Sequence, residues 1–262
     1  MILFADSGST KTDWKLVSTK IIESFQTQGI NPVLQTADDI ANDQIEHLRK
    51  FEHYHVDEIY FYGAGCGLEA TQTKMEVILK RVFTNAKVTV DSDLIASAKA
   101  LFGNKAGIAC ILGTGSNSGY YDGKRIACRV PPLGFILGDE GGGGQIGKQL
   151  LTDYLRGSMP VSLKKYLDER LCMSESELLN KIYQEKFPNR FLGSLVELVV
   201  LKFPEDSYIK RTVREQFDRF FNNCINKYDK KNESLGFVGS IAFHFEEILR
   251  QVANAHHYTV HQ

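Results

Sequence analysis

The chain has 262 residues, 43% of them hydrophobic and 24% charged, and a formal net charge of −1. That length is enough for two lobes with sizeable cores, and the balanced charge disfavours a nucleic-acid binder, which would need a basic excess. We find no secretory leader and no apolar run long enough to span a membrane, so we expect a cytoplasmic globular protein without a membrane or nucleic-acid partner.

A polar turn follows the first predicted strand. Residues 1–5 are apolar, as in a buried strand, and residues 10–18 suit a second strand. Small residues in the turn between them would let backbone N–H groups approach an anion, and hydroxyls and Lys11 would add donors. Asp6 could hold hydrated magnesium beside a phosphate chain. An ordinary polar hairpin turn is the other interpretation, and this stretch alone does not decide between them.

The next segments predict alternating strands and helices. A strand over 21–28 ends at a break around Asn31, which Pro32 restricts to extended geometry. Asn31 is either a plain turn residue or an amide that projects toward a ligand. We expect a helix over 38–54 with Asp38 as its N-cap. A strand over 58–62, a glycine-rich loop and a helix over 71–83 then follow.

Acidic residues follow another predicted strand, over residues 87–90, and precede a helix over 94–102. Carboxylates at the carboxyl end of a strand lie where open α/β sheets bind ligands, so Asp91 or Asp93 could act as a general base. Asp93 would also serve as the N-cap of the following helix, and the residues alone favour that role.

The opening pattern recurs after residue 106. An apolar strand over 107–112 leads into a turn of glycines and hydroxyls, and two more strands flank an Asp122-Gly123 hairpin. This internal duplication predicts two lobes that each offer a phosphate-type turn.

Six glycines and two acids lie within residues 134–144, which favours a loop pressed against a ligand before a helix over 145–156. Residues 161–228 have helical spacing and suit a scaffold. A strand over 234–238 turns through Gly239 and Ser240 into a helix over 241–253. That junction either contacts a nucleotide or is only a tight turn.

These motifs, in this order, resemble the N-acetylglucosamine kinase-like family, also called the BadF/BadG/BcrA/BcrD-type ATPases, of the sugar kinase/Hsp70/actin superfamily. The resemblance covers most of the chain. It implies an α/β fold of two ribonuclease H-like lobes (the actin-like ATPase fold), each with a mixed five-stranded sheet and helices and a ligand cleft between them. The lobes would be residues 1–105 and 106–262, the second with a helical insertion at about 150–230.

The resemblance also implies ATP and Mg²⁺ as cofactors and an amino sugar as substrate, with N-acetylglucosamine phosphorylated at O6. Asp93 matches the catalytic aspartate, and Asp6 would be the metal ligand. The phosphate-binding residues would be Gly8, Ser9, Thr10, Lys11, Thr12, Gly113, Thr114, Gly115 and Ser116. Sugar-binding positions would be Asn31, Asn117, Gly134 and Asp139, and the adenosine side would be Gly239 and Ser240. A homodimer is the assembly common in this family.

Two other functions fit parts of the pattern. An ATPase activator of a 2-hydroxyacyl-CoA dehydratase or benzoyl-CoA reductase would hold an iron–sulfur cluster, but the five cysteines are scattered and form no CxxC pair. A non-catalytic nucleotide or sugar sensor would need neither Asp6 nor Asp93. The P-loop pattern GxxxxGK[ST] is absent. We interpret His256, His257 and His261 as a solvated tail rather than a metal site.

Overall fold

The computed structural model of the chain describes residues 1–261, apart from the side chain of residue 201. It divides into two units, Met1–Ala100 and a second that begins at Leu101. The predicted boundary lay slightly later, at residues 105 and 106. No helix in the described part is both long and apolar enough to cross a membrane.

The first unit is built on a five-stranded sheet in the order β3-β2-β1-β4-β5. Strands β1 and β3 pair antiparallel with β2, whereas β4 pairs parallel with β1 and β5. The strands are β1 (Ile2–Ser7), β2 (Lys11–Val17), β3 (Ile21–Gln28), β4 (Glu58–Gly63) and β5 (Lys87–Ser92). The helices that follow them are α1 (Ala37–Arg49), α2 (Glu69–Lys80) and α3 (Asp93–Phe102).

The core of the first unit is organised around Trp14 on β2. Its side chain is fully buried, stacks on Phe25 with ring centroids 5.8 Å apart, and donates from Nε1 to Thr27 Oγ1 at 2.9 Å. That bond satisfies the one polar group of the indole, so the large apolar ring can be buried without an unpaired donor.

Helix α1 begins one residue earlier than predicted, and its cap is Thr36 rather than Asp38. The Thr36 hydroxyl accepts from the Asp39 N–H at 3.1 Å, and the Asp39 carboxylate accepts from the Thr36 N–H at 3.3 Å. This reciprocal capping box satisfies two backbone donors at once, which Asp38 alone would not do.

The second unit has a four-stranded sheet in the order β8-β7-β6-β9. Its strands are β6 (Gly107–Leu112), β7 (Ser116–Tyr121), β8 (Ile126–Cys128) and β9 (Leu235–Val238). Between β8 and β9 lie α4 (Gly134–Leu137), α5 (Gly143–Arg156), α6 (Val161–Leu171), α7 (Glu175–Tyr183), α8 (Pro188–Lys202), α9 (Ser207–Asn223) and the 3₁₀ turn Ile225–Tyr228. After β9 follow α10 (Ser240–His244) and α11 (Glu246–Ala255).

The two sheets share one topology, since β3-β2-β1-β4 and β8-β7-β6-β9 have equivalent order and pairing. The internal duplication expected from the sequence is therefore present. The second sheet was expected to have five strands, and the described residues give four. At the outer edge of β9, Val260 forms only an isolated bridge with Leu235, so no fifth strand develops there.

Near the C-terminus, the expectation of a solvated histidine tail is wrong for His256. Its ring stacks on Phe221 at 5.1 Å, its Nε2 lies 3.2 Å from Asp218 Oδ1, and its Nδ1 lies 3.1 Å from Asn226 Nδ2. His256 is thus part of the packing between α9 and the segment after α11.

Candidate active site

The first glycine turn connects β1 and β2. The Gly8 N–H donates to Lys11 O at 2.9 Å and closes the turn, so this donor is not available to an anion. Gly29 braces the turn from the end of β3, because its N–H donates to Thr10 O at 3.0 Å. A Cβ at position 29 would overlap the Gly8 carbonyl oxygen and lie 2.6 Å from the Ser9 carbonyl carbon, so only glycine fits there.

The side chain of Thr12, which was predicted to contact phosphate, does not face the turn. The residue is fully buried, its hydroxyl lies 2.7 Å from Ser7 Oγ, and it donates to Gln28 O at 3.1 Å. This network joins β1, β2 and β3. Lys11, by contrast, is exposed, with its ammonium group 3.1 Å from Asp13.

Asp93 is the first residue of α3, directly after β5. The Leu94 N–H donates to Ser92 Oγ at 3.2 Å and to Asp93 Oδ1 at 2.8 Å, and the Ser92 hydroxyl lies 3.1 Å from the same carboxylate oxygen. Ser92 precedes the helix and accepts from its second residue, which is the N-cap role that sequence reasoning had favoured for Asp93.

The electrostatics of the first unit distinguish Asp93 from an ordinary surface aspartate. Burial raises the pKa of Asp93 to about 6, and the negative charge of Asp6 contributes to the increase. Burial and the nearby Asp13 likewise raise the pKa of Asp6. A cation bound beside Asp6 would relieve the repulsion between the Asp6 and Asp93 carboxylates.

The Asn31 loop lies beside the glycine-rich loop after β4. Asn31 Oδ1 accepts from the Val33 N–H at 3.1 Å, which fits the turn-asparagine interpretation for this atom. Gly65 has a φ of 80°, and a Cβ there would overlap Asn31 Oδ1. The structure therefore brings together two segments that the sequence had singled out separately.

The second glycine turn, residues 113–115, rests on the start of α5. Gly143 donates its N–H to Gly113 O at 2.8 Å, and Gly144 donates to Thr114 O at 2.7 Å. A Cβ at Gly142 would lie 2.7 Å from the Gly115 carbonyl carbon. The glycine run at 142–144 is thus pressed against the turn itself, so these glycines are required by packing of backbone against backbone.

Gly113 has different surroundings from the glycines of that run. Its N–H donates to Gly115 O at 3.0 Å, but apart from its two chain neighbours no described residue has an atom within 4 Å of a Cβ built there. Internal packing does not require glycine at this position, and the space beside it is accessible to a bound molecule.

Asp139 lies next to the second turn. It has a φ of 60°, unusual for a non-glycine residue, and its Oδ1 accepts from the Ser116 N–H at 3.3 Å. A Cβ at Gly115 would be 2.8 Å from Asp139 Oδ2. Burial raises the pKa of Asp139 to about 6, with a contribution from the Glu140 charge.

Three other predicted positions lie around the second sheet. Asn117 on β7 has a buried Oδ1 without a hydrogen-bond partner in the described part of the chain. Gly134 is exposed, with a φ of 73°. Gly239 has a φ of 109°, and a Cβ there would overlap the Leu112 carbonyl oxygen, so the junction with Ser240 lies beside the end of β6.

A crystal structure of a candidate N-acetylglucosamine kinase from Porphyromonas gingivalis matches the chain with a TM-score of 0.91 and 34% identity, over 99% of this chain and 93% of that one. The chain belongs to the N-acetylglucosamine kinase-like family. No family profile and no curated protein sequence matches.

Two more distant structures support the fold of this N-acetylglucosamine kinase-like protein. A candidate N-acetylglucosamine kinase from Chromobacterium violaceum matches with a TM-score of 0.75 at 14% identity, over 99% of this chain and 93% of that one. A ROK-family glucokinase from Streptomyces griseus, solved with glucose and AMPPNP, matches with a TM-score of 0.54 at 14% identity, over 99% of this chain and 91% of that one. At these identities they show the fold alone, which is the two-lobed actin-like ATPase fold.

Proposed function

We propose that this protein is an ATP-dependent kinase that transfers the γ-phosphoryl group to a hydroxyl of an amino sugar, with O6 of N-acetylglucosamine as the first acceptor to test. Its family is one of sugar kinases, which makes a phosphotransferase the expected class. The observation that carries the proposal is the Asp93 carboxylate, at the carboxyl end of β5 with its pKa raised to about 6.

Asp93 has the properties of a general base. A carboxylate with a pKa of about 6 is mostly ionised at neutral pH and binds a proton more strongly than an ordinary aspartate. It would accept the proton of the sugar hydroxyl while the hydroxyl oxygen bonds to the γ-phosphorus. The bond from that phosphorus to the bridging oxygen breaks, and ADP leaves. Such a base contributes about 10²–10⁴-fold to the rate.

The two glycine turns would bind the phosphate chain. In the first turn, Ser9, Thr10 and the exposed ammonium group of Lys11 are suitable donors. In the second, Thr114 and the open space beside Gly113 suit an approaching phosphate oxygen. Asp6 fits a magnesium ion, because it lies one residue before the end of β1, next to the first glycine turn, and this ion needs only one or two carboxylates. Bound there, magnesium would neutralise phosphate charge.

The sugar would supply a missing hydrogen bond. Asn117 Oδ1 is a buried acceptor with no partner in the described residues, and leaving such a group unpaired costs about 1–3 kcal/mol. A sugar hydroxyl is a suitable donor to it. Asp139, Gly134 and Asn31 complete the proposed sugar contacts, and Gly239 with Ser240 would contact the adenosine. A kinase that draws on ATP in this way would work in the cytoplasm.

The test is a coupled assay of ADP release with Mg-ATP and a panel of N-acetylglucosamine, glucosamine, N-acetylmannosamine, glucose and no sugar. Sugar-dependent turnover in the wild type, lost in Asp93→Asn while ATP binding persists, supports the proposal. Turnover that is equal with and without sugar would instead indicate the ATPase activator. ATP binding without any turnover would indicate a sensor.

A further inference from the structure

The ammonium group of Lys74, on helix α2, binds two main-chain carbonyl oxygens of a neighbouring loop. Its ammonium group donates to the Pro32 carbonyl oxygen at 2.8 Å and to the Gln35 carbonyl oxygen at 2.7 Å. Both acceptors belong to the loop at residues 31–35, so the lysine joins α2 to the loop that carries Asn31. Hydrogen bonds with an ionised donor are stronger than those between neutral groups.

The Asn31 loop is closed by its own hydrogen bonds. The Asn31 N–H donates to Gln35 Oε1 at 2.7 Å, and the N–H groups of Leu34 and Gln35 each donate to Asn31 O at 3.0 Å. These bonds define the shape of the loop, but they do not attach it to the rest of the unit.

Pro32 and Gln35 are buried, but the two residues between them, at the tip of the loop, contribute little apolar packing to that attachment. Val33 and Leu34 have exposed fractions of 61% and 60%. On one side, Asn31 rests against Gly65. The two bonds from Lys74 therefore attach the loop at the carbonyl groups on either side of its exposed residues.

We propose that Lys74 is a positioning residue for sugar binding, because it holds the Asn31 loop in the conformation that places the Asn31 amide beside Gly65. This inference rests on the proposed function, since it takes Asn31 as a sugar contact. Loss of the ammonium group lets the loop move and weakens the sugar complex, and the phosphate turns are left unchanged.

The experiment compares three variants of the full chain with the wild type. Lys74→Met removes the charge and keeps an apolar stem, and Lys74→Arg keeps cationic donors. Lys80→Met is the matched control, because Lys80 lies on the same helix but pairs with Glu76 at the surface, 2.6 Å away. Amide hydrogen exchange of the peptide over 31–36 is followed by mass spectrometry, and KM values are measured separately for sugar and Mg-ATP.

We expect Lys74→Met to accelerate exchange across residues 31–36, to raise the sugar KM about tenfold and to leave the Mg-ATP KM within about twofold. Lys74→Arg should recover part of both effects, and Lys80→Met should match the wild type. Unchanged exchange in Lys74→Met would overturn the proposal. So would a parallel rise of both KM values, which would mark a general structural role.

The exchange measurement needs no sugar, so it separates this proposal from the proposed function. If the wild type phosphorylates none of the sugars, the kinase proposal fails, and with it the role of Lys74 in sugar binding. Faster exchange in Lys74→Met would then still establish the attachment of the loop.

Discussion

Replacing Asp93 with asparagine should make the protein more stable at neutral pH even though it removes the proposed catalytic base. Burial raises the pKa of Asp93 from an ordinary 3.8 to about 6 in the folded chain. Asparagine has nearly the same shape and keeps an oxygen that can accept from the Leu94 N–H, but it carries no charge. The variant therefore removes the buried charge and little else.

The direction and size of this change in stability follow from the pKa values of Asp93 in the folded and the unfolded chain. The folded state retains the Asp93 proton up to about pH 6, whereas the unfolded chain releases it near 3.8, so the wild type loses stability as the pH rises through this window. The difference of about 2.2 in pKa, at about 1.36 kcal/mol for each unit, gives a cost of roughly 3 kcal/mol above pH 7. This corresponds to roughly 6–12 °C in Tm for a chain of this size.

The assay uses the one tryptophan of the chain. Trp14 is fully buried and lies in the same unit as Asp93, so its fluorescence reports the unfolding of that unit. Thermal unfolding is measured at pH 4 and pH 7.5 for the wild type and Asp93→Asn. Asp43→Asn is the matched control, because Asp43 lies in the same unit and is exposed.

We expect Asp93→Asn to unfold at a higher temperature than the wild type at pH 7.5 and at nearly the same temperature at pH 4, with no such pH dependence for Asp43→Asn. An equal increase in unfolding temperature at both pH values would refute the reasoning, since the change in stability would then come from packing and not from charge. No gain at pH 7.5 would show that the folded protein solvates the Asp93 carboxylate well.

Four further predictions concern the sites directly. The value of kcat/KM should rise with pH and level off above about 6, and at pH 5 it should be roughly a tenth of its plateau, because the base must be ionised. Gly113→Ala should leave the Tm of the protein unchanged but raise the KM for Mg-ATP, since apart from its chain neighbours no described residue lies within 4 Å of the new methyl group. Gly142→Ala should instead lose about 1–3 kcal/mol of stability, measured by urea unfolding, because its Cβ would lie 2.7 Å from the Gly115 carbonyl carbon. Asn117→Leu should raise the sugar KM without lowering Tm, because it removes a buried acceptor that has no partner among the residues the structure describes.

Local patterns in the sequence were sufficient to predict the order of most strands and helices and the duplicated strand–turn–strand units. The alternation of side chains along β2 also predicts that Thr12 faces inward, but the prediction of a phosphate contact for this residue did not use it. Side chains alternate along a strand, so Thr12 shares a face with the buried residues Trp14 and Leu16. A hydroxyl next to a polar turn suggested a ligand contact, but the alternation decides that it faces inward.

Contacts between distant segments could not be predicted in this way. Lys74 bonds to main-chain carbonyl oxygens, which every residue type has, so no pattern of side chains marks its partners. Gly29 likewise looked like a simple break between strand and loop. Its importance comes from the backbone of the first turn, which passes too close for any Cβ.

The two glycine turns show why a duplicated motif does not have a duplicated environment. In the first unit the turn is braced by Gly29, just past the end of β3. In the second unit the equivalent strand, β8, is short, and the brace is instead the start of α5, through the N–H groups of Gly143 and Gly144. At Gly29, Gly142 and Gly144 glycine therefore marks close approach of backbone to backbone, whereas the open space beside Gly113 leaves that glycine available to a ligand.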